Sequence, residues 1–101
     1  MKMTRDAVLD AATLRGVDVL SEARKRKLRW IAVDKDTVIY GYHEAPFTAG
    51  RLGTWMTTDT APPPELLAEL YDAKLALDSE LRLDNWRGLC ITVPDEKHSN
   101  D

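Results

Sequence analysis

The stretch Leu28–Tyr42, LRWIAVDKDTVIYGY, decides how the rest of the chain is read. Two apolar runs rich in β-branched and aromatic residues flank the polar knot Asp34-Lys35-Asp36-Thr37, which is the pattern of a β-hairpin. Side chains alternate faces along a strand, so a one-residue slip in register would exchange the two faces. A three-residue loop pairs Asp34 with Val38, Ala32 with Tyr40 and Trp30 with Tyr42. It gathers Trp30, Ala32, Tyr40 and Tyr42 on one face and leaves Ile31, Val33, Ile39 and Gly41 on the other. A two-residue loop would mix aromatic with aliphatic side chains. The three-residue loop is preferred, although it puts Thr37 where a left-handed residue, usually glycine, belongs, at a cost of about 1 kcal/mol.

Upstream, Thr4 is placed to cap a helix through Arg5–Leu14, with Asp6 in its first turn and Gly16 as its stop. A second helical piece is expected to begin near Asp18 and to end in Arg24-Lys25-Arg26-Lys27, where cations suit the helix C-terminus. Downstream, His43–Thr54 (HEAPFTAGRLGT) reads as a loop, and Trp55–Thr58 as a short third strand antiparallel to the second. Beyond Pro62-Pro63-Pro64, the residues Leu66, Leu70, Ala73, Leu77 and Leu81 recur at helical steps, widened by Leu67 and Tyr71. This spacing predicts a long helix from about Pro63 to Arg82, broken by Asp84–Gly88. Leu89–Val93 is expected to be the last strand. The predicted fold is therefore α+β: a small antiparallel sheet of three or four strands packed on one long C-terminal helix, with a helical N-terminal segment. Residues 1–93 form the expected single domain, and 94–101 a disordered polar tail.

A chain of 101 residues is long enough for one modest core. Net charge is −3, laid out unevenly: residues 1–50 hold nine Lys/Arg against seven Asp/Glu, and 51–101 hold five against ten. That gives a dipole rather than a polyelectrolyte. The lone Cys90 in an apolar run reads as a buried structural thiol, and a reducing cytoplasmic setting is expected. No stretch has the apolar length of a signal sequence or a membrane span, so no membrane partner is expected.

Catalytic and cofactor chemistry finds little support. His43 beside Glu44 has no accompanying serine or cysteine nucleophile motif, and His98 lies in the tail. One cysteine and two separated histidines do not make a zinc shell. Asp34-Lys35-Asp36 lacks the glycine and distal glutamate of a calcium loop. Gly50-Arg51-Leu52-Gly53 lacks the strand-to-helix context of a phosphate cradle. No enzyme activity, cofactor or metal is therefore expected. Two binding readings remain. Trp30, Tyr40, Tyr42 and Trp55 form an aromatic set suited to a protein interface, with Tyr42 expected to be the most accessible. The alternative is a nucleic-acid contact through Arg24, Lys25, Arg26, Lys27 and Arg29. It is the weaker reading, because the run brings no base-reading polar side chains.

The residues Trp30-Ile31-Ala32-Val33-Asp34, Asp36, Tyr40-Gly41-Tyr42, Trp55 and Asp84-Asn85-Trp86-Arg87 before Leu89 carry a resemblance to a known group. Their arrangement resembles small accessory proteins of tailed phages and prophages: a tryptophan-started strand, an acidic turn, a tyrosine-bearing return strand and further tryptophans. The resemblance spans about half the chain. Thr37 stands where that turn usually has glycine, and the first 27 residues and the expected long helix have no counterpart. The resemblance implies a phage-type (viral) protein that acts in takeover of, or anti-defence against, a host cell, and it carries over no active site. The expected function is a non-catalytic accessory protein that binds and modulates, by inhibition, a host or phage protein in the host cytoplasm. A homodimer through the aromatic face is a further expectation.

Overall fold

A computed structural model describes residues 1–72 and 80–94. The chain opens with α1 (Arg5–Leu14), whose N-terminal Thr4 hydroxyl accepts the Ala7 N–H at 3.1 Å. It ends in a left-handed Gly16, and the Val17 N–H reaches back to the Ala12 carbonyl at 3.0 Å. Next, α2 (Val19–Lys25) is capped by the Asp18 carboxylate on the Ser21 N–H and closes in the same way, with the Leu28 N–H on the Ala23 carbonyl at 2.8 Å. There the left-handed position is taken by Lys27, without glycine's freedom.

The hairpin follows as β1 (Trp30–Val33) and β2 (Val38–Tyr42), with Trp30 opposite Tyr42, Ala32 opposite Tyr40 and Val33 opposite Ile39. The three-residue loop is present, and Thr37 is left-handed at φ 72°. A second, smaller hairpin is made by β3 (Phe47–Ala49) and β4 (Thr54–Met56). Strand β5 (Glu65–Glu69) pairs with the free edge of β2. A single 3₁₀ turn (Trp86–Gly88) then leads into β6 (Cys90–Thr92), which pairs with β1. The result is a four-stranded antiparallel sheet in the order β5-β2-β1-β6, with β3–β4 as a separate two-stranded ribbon.

The aliphatic face of the hairpin makes the core. Ile31, Val33, Ile39 and Ile91 of the sheet are buried together with Val8, Ala12, Val19, Ala23 and Leu28 of the N-terminal helical segment. Gly41 is needed on this face, because a Cβ there would collide with the Leu28 and Leu67 side chains.

The long helix expected from Pro63 to Arg82 is overturned. Its first leucines belong to β5, residues 80–85 are turns and bends, and 73–79 lie outside the described residues. The N-terminal helices cover the sheet in its place. Helical spacing of leucines is a local signal, and a tertiary demand outweighs it here. The edge of β2 offers a row of unpaired backbone groups, and the three prolines deliver an extended chain to it. Between Ile39 and Tyr40 the pairing shifts, leaving Leu67 as the extra residue of a β-bulge. The bulge lets Leu67 and Ala68 both enter the core while Leu66 turns outward, 53% exposed. Two other expectations change. The segment read as a loop contains β3, and the strand at Trp55 pairs with β3 rather than with the second strand. Of the expected tail, residues 95–101 lie outside the described residues.

Strand and helix readings separate on two leucines. Leu70 is buried and Leu66 is not. Leu70→Ala should cost about 2–5 kcal/mol and Leu66→Ala no more than about 0.5 kcal/mol in denaturant unfolding. Equal losses would restore the amphipathic helix.

Candidate interaction surface

The second face of the sheet carries Trp30, Ala32 and Asp34 from β1 and its turn, and Val38, Tyr40 and Tyr42 from β2. The β3–β4 hairpin is laid over part of it and held there mainly through Trp55, with the Gly53 carbonyl accepting the Lys35 N–H at 2.9 Å. The Trp55 backbone N–H donates to Asp34 Oδ1 at 2.8 Å, and its carbonyl accepts from the Tyr42 hydroxyl at 3.2 Å. Its indole Nε1–H donates to the Val33 carbonyl at 3.0 Å. Two side chains thus meet the outward backbone groups of β4 as a neighbouring strand would. The indole stands edge-on to the buried Trp86, with ring centroids 6.3 Å apart at 89°. The Arg87 guanidinium lies over the Trp86 ring, 5.1 Å from its centroid.

Electrostatics at this clamp follow from its burial. Burial pushes the Asp34 carboxyl up to about 6, and the nearby Asp36 adds to the rise while the Trp55 N–H opposes it. Burial likewise raises the Tyr42 hydroxyl, with Asp34 adding to it. The Tyr40 hydroxyl is raised by burial first and then by Asp34, Asp36 and Glu69. Tyr42 is therefore a neutral donor at any ordinary pH.

The sequence-predicted residues separate into distinct roles. Tyr42, expected to be the most accessible aromatic, is 1% exposed and serves the clamp. Trp55 is half-buried and does the same, and Trp30 and Tyr40 are half-buried on the sheet. At Tyr42 and Asp34 this face is met by the second hairpin, while Trp30 and Tyr40 stay half-buried. The basic run also divides. Arg26 bridges Glu22 at 3.0 Å and Glu65 at 3.4 Å and donates to the Leu66 carbonyl. Arg24 donates to the Pro94 carbonyl. Lys25, Lys27 and Arg29 remain exposed. His43 sits 3.6 Å from Glu65.

Sequence reasoning missed the outer side of the β3–β4 ribbon. Phe47 lies directly opposite Met56 on the side away from Trp55. These two are 48% and 41% exposed, and Leu52 in the connecting turn is 70% exposed. The signal was present in the near-symmetric placing of Phe47 and Trp55-Met56 about Gly50–Gly53. It was hidden because two glycines in four residues read as loop.

No protein-family model, curated protein or solved structure matches this chain. Among the described residues no helix is long and apolar enough to cross a membrane.

The Asp34 carboxyl sets a pH dependence. Its folded-state value of about 6 lies above the ordinary 3.8, so the folded state holds the proton more tightly. The stability this contributes is present below about pH 4 and is lost as pH rises through about 6, by up to roughly 3 kcal/mol. Asp34→Asn keeps an acceptor for the Trp55 N–H without the charge. Its stability relative to wild type should therefore improve between pH 4 and pH 7 in parallel denaturant titrations. A pH-independent difference would remove Asp34 as a buried titrating group.

Proposed function

We propose that this protein is a non-catalytic binding module of phage-accessory type, acting in the cytoplasm by docking on another protein and blocking part of its surface. The observation that carries this reading is the exposed Phe47–Met56 pair on a ribbon whose inner side is already tied down. A small hairpin held by three polar contacts at Trp55 presents Phe47, Met56 and Leu52 in a fixed arrangement. Ordering such side chains in advance lowers the entropic cost of association. Aromatic residues and methionine are enriched at interface centres, and methionine adapts to an irregular partner surface. The resemblance of the first hairpin to phage accessory proteins supports the same reading. The interface is thereby moved from Trp30, Tyr40, Tyr42 and Trp55 to the side chains that Trp55 and Tyr42 hold in place.

A photo-crosslinking side chain at position 47, used in lysate of the native cell, tests this directly. One discrete protein adduct is expected, lost in Met56→Asp while the thermal melt stays cooperative. Truncation at such an anchor should weaken binding about thirtyfold or more. The same crosslinker at Leu14, an isolated exposed leucine on α1, is expected to give none. No adduct at position 47, or equal adducts at both positions, would refute the reading. An adduct of twice the chain mass would identify the partner as a second copy.

A further inference from the structure

At the tip of the second hairpin, cations from three separate segments converge on one small depression. Its volume is about 170 Å³, and it is lined by Lys35, Gly50, Arg51, Leu52, Gly53 and Arg82. Lys35 comes from the β1–β2 turn, Arg51 from the β3–β4 turn, and Arg82 from the connection that precedes the 3₁₀ turn. A fourth cation is adjacent: a Cβ on Gly50 would stand 2.9 Å from the Arg87 guanidinium. Gly53, left-handed at φ 69°, gives the Lys35 side chain similar room. Among the described residues, no carboxylate lines the depression. Of the acids nearest these cations in sequence, Glu80 is exposed and three others have partners of their own. Asp34 accepts from Trp55, Asp36 accepts from the Val38 N–H, and Asp84 is ion-paired at 2.7 Å with the Met1 ammonium. Among the described residues, the Lys35 and Arg51 side chains make no ion pair.

This gathering runs against the charge of the whole molecule, which is net negative. Like charges brought together repel; Asp84 offsets part of this at Arg82, and an anion between the cations removes the rest. The depression is smaller than the roughly 300–1,000 Å³ of sites that enclose a drug-sized ligand. It suits a single tetrahedral group, for which planar guanidinium forks are the best-matched donors. We propose that this corner binds the terminal phosphate of a phosphomonoester, as a dianion, between Arg51, Arg82 and Lys35. The helix N-terminus of an ordinary phosphate cradle is absent here, and side-chain cations from three segments take its place. The proposal shares Leu52 and the second hairpin with the docking surface, but its ligating cations Lys35, Arg51 and Arg82 are not part of that surface.

The test is a titration of the full chain, followed by proton–nitrogen correlation NMR at constant ionic strength and at a pH about two units above the second pKa of a phosphomonoester, which is about 6. Inorganic phosphate, phenyl phosphate, a phosphoserine peptide and dimethyl phosphate are the ligands. Saturable shifts are expected at Gly50–Gly53 and Lys35 with the first three, and weaker binding with the diester. Tighter binding of the peptide than of phenyl phosphate would identify a phosphorylated side chain as the source, and the reverse a small-molecule ester. Arg51→Gln and Arg82→Gln, both at exposed positions, should each weaken binding about tenfold and leave the rest of the spectrum unchanged. Shifts that do not saturate, that chloride reproduces, or that survive both substitutions would overturn the proposal. A diester bound as tightly as the monoesters would overturn it too, in favour of a nucleic-acid backbone.

Discussion

The turn from Asp34 to Thr37 holds three distant segments through its backbone and one carboxylate. The Lys35 N–H donates to the Gly53 carbonyl at 2.9 Å, and the Lys35 carbonyl accepts from the Leu83 N–H at 2.8 Å. The Thr37 carbonyl accepts from the Leu70 N–H at 3.0 Å, and the Asp34 side chain takes the Trp55 N–H. The second hairpin, the end of β5 and the approach to the 3₁₀ turn are thus all positioned from one short loop. The loop carries local costs in return. Thr37 is left-handed, and its buried hydroxyl has no partner among the described residues. Asp34 is a buried carboxyl that resists ionising. Strain of this kind persists where the surrounding structure over-determines it, and here four interlocking contacts do so.

What the sequence revealed and what it concealed divide along physical lines. The first hairpin, its register and its faces were legible because Ile31, Val33 and Ile39 alternate with Trp30, Ala32 and Tyr40 without interruption. Both N-terminal helices were legible from the caps at Thr4 and Asp18 and the stops around Gly16 and Lys27. The stretch Glu65–Glu69 was not. Its composition favours helix, and only the open edge of β2, a feature of the assembled sheet, makes it a strand. The Phe47–Ala49 strand was hidden for the opposite reason: three residues beside a glycine-containing turn are too short for a periodic signal.

The candidate surfaces follow the same division. The aromatic residues were correctly grouped on one face by register, yet Tyr42 and the neighbouring Asp34 serve to seat the second hairpin. Tyr42 shows why burial could not be read from the hairpin alone. Its hydroxyl is spent on a backbone carbonyl 13 residues away. The outward residues, Phe47, Met56 and Leu52, gain their prominence only once Trp55 is fixed on the inner side. The cluster of Lys35, Arg51 and Arg82 is likewise invisible in sequence, since its members lie far apart in the chain and meet only through the bond from Lys35 to Gly53 and the bond from Leu83 to Lys35.

Everything proposed for the second hairpin rests on its being locked to the sheet rather than merely lying beside it. Native-state hydrogen exchange resolved at Trp55 measures that lock. The Trp55 backbone amide and indole N–H are expected to exchange as slowly as the Ile31 and Ile39 amides of the central hairpin, because opening either would require breaking the Asp34 and Val33 contacts. Exchange at both Trp55 sites as fast as at the exposed Leu52 amide would contradict the account, showing a ribbon that detaches while the sheet stays folded.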